Sequence, residues 1–118
     1  MSKGELLTAL KQFTGTSQYY YHPLFKAFRY TDGVRFLAKN AECYWLLEFI
    51  FGYQTDPKIK ATEFQTWKLV KKGNGCIITV DDGNGKIIKT YSLSYTSFPL
   101  DNFTLWMIEG VLLLPSEY

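Results

Sequence analysis

Most of the residues that build catalytic and metal sites are scarce in this chain. One histidine, His22, and two cysteines, Cys43 and Cys76, stand among 118 residues. Metal sites need converging His, Cys or carboxylate ligands, and the carboxylates here are scattered, so no metal or other cofactor is expected. Asp81 and Asp82 in "DDGNGK" lack the later acidic positions of a calcium loop, and the segment reads as a hairpin turn. Charge of one sign is also missing. Thirteen basic and eleven acidic residues leave a formal +2. The excess is spread evenly over residues 1–56 and 57–118, which argues against a basic arm and against long-range steering toward nucleic acid. No run approaches the ~18 apolar residues of a membrane span. The longest, "YWLLEFIFGY" and "GVLLLP", are short or interrupted, so no membrane partner is expected. Each cysteine sits in an apolar run and reads as a buried free thiol. With no signal peptide in view, a reducing, cytoplasmic location is expected.

What is abundant is aromatic: Phe, Tyr and Trp make up 18% of the chain. The stretch "GTSQYYYHPLF" places Tyr19, Tyr20 and Tyr21 directly before His22. Pro23 holds His22 extended, and "PLFKAF" then offers a short helix. Before it, "SKGELLTALKQF" reads as a helix capped by Ser2. After it, "YTDGVRFLAKNAECYWLLEFIFGYQ" has Thr31 as N-cap and Asp32 in the first turn. Val34, Leu37, Ala38, Ala41 and Trp45 follow at helical spacing, with Arg35, Lys39 and Glu42 opposite and a break near Asn40.

Beyond residue 62 the period becomes two. In "EFQTWKLV" Trp67 and Leu69 share one face, Phe64 and Val70 the other. "KGNG" signals a hairpin, with positive φ expected at Asn74-Gly75. "CIITV" and "IIKTYSLSY" follow as strands. "FTLWMIEGVLLLP" reads as a fourth strand, bulged at Gly110. The expected fold is α+β in a single domain over 1–118. A mainly helical layer, 1–56, packs on a four-stranded, mainly antiparallel C-terminal sheet, 62–115.

The motifs "QFTGTSQYY", "HPLF", "YTDGVRFLA", "YWLLEFIFGYQ", "FQTWKL", "FPL" and "LLLPSEY" span residue 12 to the last. On them the chain resembles a family of small proteins of unknown function from bacteria and their phages. The matching residues are Thr14, Gly15, Tyr20, His22, Thr31, Asp32, Gly33, Tyr44, Trp45, Gln54, Trp67 and Glu117. The resemblance implies an accessory role in phage–host or plasmid biology and carries no catalytic assignment.

Capping explains Thr31 and Asp32 but not Gly33, where close backbone contact is one reading. Tyr20, His22, Tyr44, Trp45 and Gln54 are expected around one shallow pocket, against an internal hydrogen-bond network as the other reading. With Asp32 and Trp67 they form the candidate binding set. Surplus aromatic surface without a catalytic set favours a non-enzymatic protein that binds a protein partner or itself. An enzyme is not excluded. A Lys/Arg–aromatic surface for nucleic acid and a small-molecule or enzymatic pocket around His22 are the alternatives.

Overall fold

The computed structural model describes residues 1–118. It opens with helix α1, Lys3–Leu10. Ser2 Oγ accepts the Glu5 N–H at 3.1 Å and Glu5 Oε1 accepts the Ser2 N–H at 3.0 Å, a reciprocal cap on two otherwise free donors. Two short strands follow, β1 (Tyr19–Tyr21) and β2 (Arg29–Thr31). Between them "PLFKAF" forms turns, with Phe25 N–H donated to His22 O and Phe28 N–H to Phe25 O. The helix expected there is absent. Its apolar residues lie too few in number to close a turn onto a face.

Helix α2 (Asp32–Asn40) starts where β2 ends, with the Thr31 hydroxyl accepting the Val34 N–H. Val34, Leu37, Ala38 and Ala41 are buried, while Arg35, Lys39 and Glu42 are exposed. The break expected near Asn40 falls at residues 41–43, where Glu42 takes a left-handed φ of 51°. Helix α3 (Tyr44–Gly52) then buries Leu46, Leu47, Ile50 and Phe51. A single turn, α4 (Pro57–Lys60), is capped by Asp56. The remaining strands are β3 (Phe64–Lys72), β4 (Gly75–Asp81), β5 (Ile87–Leu93), β6 (Asn102–Ile108) and β7 (Val111–Leu113).

The four-stranded C-terminal sheet is overturned. All strands join one mixed, seven-stranded sheet in the order β1-β2-β7-β6-β3-β4-β5, and helices alternate with strands along the chain. Two physical reasons account for the difference. A three-residue strand such as β1 or β2 shows one alternation, too little to distinguish from loop. Its pairing is decided by a distant partner: β2 lies parallel to β7, with Arg29 opposite Val111 and Tyr30 opposite Leu112. The segment 102–114 is also not one bulged strand. The chain reverses at Glu109-Gly110, both with positive φ (48° and 81°), so that Ile108 faces Val111. This is the backbone of a two-residue primed turn, disguised because Glu rather than Asn or Asp precedes the glycine.

The β3–β4 hairpin forms as expected, closing Lys72 onto Gly75. The positive φ sits on Gly73, one residue before the expected pair. Trp67 and Leu69 are buried, at 2% and 3% exposure, with Cys76, Ile78, Leu105 and Met107. Leu46 and Ile50 of α3 close over this inner face. On β5, a register shift at Val80/Asp81 turns Ile87 out to solvent, while Tyr91 and Leu93 stay half-buried. Cys43 and Cys76 are both buried and unpaired. No helix is long and apolar enough to cross a membrane.

Candidate functional site

The candidate residues sort into separate polar networks rather than one pocket. The first lies beside the start of α2. Tyr20 donates its hydroxyl to Asp32 Oδ1 at 2.7 Å, and Ser17 N–H donates to Asp32 Oδ2 at 2.8 Å. The Asp32 N–H in turn donates to Thr16 Oγ1 at 2.9 Å. These bonds, led by the Tyr20 hydroxyl, hold the Asp32 carboxyl below the ordinary aspartate range. They also fix the Tyr20 ring, over which the Arg35 Cζ lies 4.5 Å from the centroid.

His22 belongs to a second network, 7% exposed. Its Nδ1 accepts the Leu24 N–H at 3.0 Å, so the ring proton sits on Nε2, which donates to Glu48 Oε1 at 3.2 Å. Both nitrogens are engaged, and Phe25 and Phe51 flank the ring at 5.3 and 6.4 Å. The arrangement turns the chain after β1 and ties it to α3. It leaves no free lone pair to act as a base.

Gln54 and Trp67 form a third network with Gln65, a residue that sequence reasoning passed over. The two amides exchange hydrogen bonds at 2.9 and 2.8 Å. Gln54 also donates to Ile50 O, and Gln65 to Ile59 O and Thr62 O. The Trp67 indole N–H donates to Gln65 Oε1 at 2.9 Å. Every buried amide atom is satisfied, which makes the group a rigid joint between α3, α4 and β3. The only legible sign of Gln65 was a polar residue in the inward-facing phase of a strand. Trp45 packs half-buried against the core, and Tyr44 is exposed on α3. Tyr44 adds to burial in raising the Tyr30 phenol above its ordinary range.

Gly33 is explained by Glu117, again not separated by sequence reasoning from the other matching positions. The buried Glu117 carboxylate accepts the Gly33 N–H and the Leu114 N–H, each at 3.0 Å, and the Thr31 hydroxyl. A Cβ on Gly33 would stand 2.6 Å from both Glu117 Oε1 and Leu114 Cδ1. A negative charge at a helix N-terminus is favourable. The C-terminal segment is therefore clasped to α2 through an anion seated where the glycine leaves room for it.

The matching positions in "LLLPSEY" and "YTDGV" thus meet in space. The profile of one family matches residues 4–118. The chain belongs to the Family of unknown function (DUF6876). Membership bears out a family of unknown function spanning nearly the whole chain, and it assigns no activity to the DUF6876 chain. No curated protein and no solved structure matches it.

A further surface of this DUF6876 protein is its outer sheet face. Over β3, β4 and β5 it carries no helix: Lys68, Val70, Lys72, Ile87, Thr90 and Ser92 are all exposed. At its β3–β6 corner Phe64 packs on Trp106 at 5.0 Å and Tyr118 on Trp106 at 5.5 Å. Phe64 and Trp106 are half-buried and Tyr118 is exposed. The basic residues expected to interleave with aromatics are divided. Trp67 faces inward while Lys68 faces outward beside Asp81, 3.9 Å away, and Lys89 lies 3.9 Å from Asp56.

Proposed function

We propose that this DUF6876 protein is a non-enzymatic binding module whose contact surface for another protein is the outer face of its sheet. One observation carries the reading: a ring cluster of Phe64, Trp106 and Tyr118 shares a sheet face with exposed Val70 and Ile87, and over β3, β4 and β5 that face has no helical cover. Tyr, Trp and Phe in such a patch supply large contact area at little conformational cost. The engagement of Asp32, His22 and Glu117 in internal hydrogen-bond networks supports the same reading, since none of these three is left poised as an acid, base or nucleophile. The partner is a second copy or another protein. An accessory role in a bacterium or phage belongs to the proposal through the sequence resemblance. A cytoplasmic location is supported by two buried free thiols.

Light scattering over a concentration series separates the two kinds of partner. Capture with wild type and with Val70→Glu, whose far-ultraviolet circular dichroism should stay unchanged, then tests the face. Loss of either self-association or capture in Val70→Glu supports the proposal. Identical behaviour of the two proteins overturns it.

A further inference from the structure

A groove of about 500 Å³ runs between α2 and the segment that leads into β1. Its volume lies within the range of small-ligand sites. Its walls have two characters. Phe13 and Phe36, whose rings pack at 5.3 Å, line it together with the Tyr20 ring. Arg35 and Lys39, one helical turn apart on the exposed face of α2, line it as well. Neither cation takes part in an ion pair. The one carboxylate present, Asp32, is already committed to Tyr20 and Ser17.

The guanidinium is not a free-swinging surface charge. Asp32 holds the Tyr20 hydroxyl, and the Arg35 Cζ stands over the Tyr20 ring, 4.5 Å from its centroid. A guanidinium held over an aromatic face keeps N–H donors with which to grip an oxyanion in a bidentate fork. Because this contact is built before any ligand arrives, part of the ordering cost of binding is already met. Lys39 supplies a second, mobile cation a turn away, which suits a doubly charged group. The adjacent phenyl rings suit a flat apolar body.

We propose that this groove is a binding site for a small phosphate monoester bearing an aromatic ring, of the chemical class that includes aryl phosphates and mononucleotides. In this assignment Arg35 takes two phosphate oxygens, Lys39 neutralises the second charge, and Phe13 and Phe36 cover the ring. Tyr20 and Asp32 are positioning residues that act through Arg35. The site is independent of the outer sheet face, which lies on the other side of the sheet from Tyr20, so either proposal stands or falls alone.

The test is a nuclear magnetic resonance titration of the full chain with four probes: phenyl phosphate, adenosine monophosphate, inorganic phosphate and adenosine. Saturable shifts confined to residues 13–20 and 32–40 are expected with at least one of the two phosphate esters. Whichever of the two binds tighter names the source. Inorganic phosphate should bind at least tenfold more weakly and adenosine should not saturate. Arg35→Gln should weaken ester binding at least tenfold, and Arg35→Lys nearly as much, because lysine keeps the charge but loses the fork. Both variants should keep the wild-type thermal midpoint, since the side chain is exposed. Equal affinity in Arg35→Gln, unsaturable shifts spread over all lysines, or no shift with either ester overturns the proposal.

Discussion

Two carboxylates serve the first turn of α2 and illustrate two uses of one helix end. Glu117 arrives from the C-terminal segment, is buried, and has its oxygens filled by Gly33 N–H, Leu114 N–H and the Thr31 hydroxyl. Asp32 belongs to the helix itself, stays half-exposed, and has its oxygens filled by Tyr20 and Ser17. The first closes the fold and leaves nothing over. The second steadies a ring, and the ring steadies a cation that faces an open groove. The same favourable field at a helix N-terminus therefore supports a clasp on one side and a prepared surface on the other. Burial separates them: a desolvated carboxylate must spend every lone pair on the protein, whereas an exposed one can hold its neighbour while water serves the rest.

Breaking the buried side should have the largest effect. Gly33→Ala forces a Cβ into Glu117 and Leu114, and combines overpacking with lost charge-assisted bonds. A loss of about 3 kcal/mol in urea unfolding is expected. Gly4→Ala, where nothing lies within 4 Å of the added carbon, is the control and should be neutral or stabilising by roughly 0.5 kcal/mol. A Gly33→Ala variant as stable as the control would show that the clasp yields freely.

Next in size, Glu117→Ala should cost about 2 kcal/mol by leaving the Gly33 and Leu114 donors without a partner. Glu117→Gln should cost less, because an amide oxygen still accepts. If Gln costs as much as Ala, the charge rather than the hydrogen bonds holds the segment.

The exposed side should respond weakly. Tyr20→Phe keeps the ring under Arg35 and loses one bond to Asp32, for roughly 1 kcal/mol. Asp32→Asn sharpens the contrast through pH. The folded carboxyl lies below its ordinary value of 3.8, so its contribution is present above that value and disappears as pH falls through the lower folded value. Urea midpoints of wild type and Asp32→Asn should therefore differ above roughly pH 4 and converge as the pH falls further through the lowered folded value. Parallel curves at every pH would remove the carboxylate from the account.

The smallest change is chemical rather than energetic. Burial pushes the Cys43 thiol up to about 12 and raises Cys76 as well. Neither should react with a thiol reagent near neutral pH until the chain unfolds. Prompt labelling of Cys43 in the native protein would show that α2 and α3 part easily at residues 41–43.

Much of this was legible from local pattern. The caps at Ser2 and Thr31 needed only one side chain and the next turn. The inward phase of Trp67, Leu69, Cys76, Ile78 and Val80 followed from alternation along strands long enough to show it. The candidate residues Tyr20, His22, Asp32, Gln54 and Trp67 were legible as polar or aromatic groups in unusual surroundings. Their grouping was not, since Asp32 pairs with Tyr20 across twelve residues and Gln54 with Gln65 across eleven. The ring cluster of Phe64, Trp106 and Tyr118 likewise assembles from three distant segments.

The amino-acid order by itself determined the local events: where α1 and α2 begin, which residues of β3 and of β4 share a face, and that the chain reverses between them. Each depends on interactions within a few residues, where spacing and side-chain chemistry suffice. Tertiary structure alone decided that β1 and β2 are strands at all, that β2 runs parallel to β7, and that a side chain at Gly33 would meet Glu117 and Leu114. Those outcomes depend on what arrives from far along the chain. A three-residue strand exists only if a neighbour supplies its hydrogen bonds, and a helix start has room for any side chain until Glu117 is placed against it.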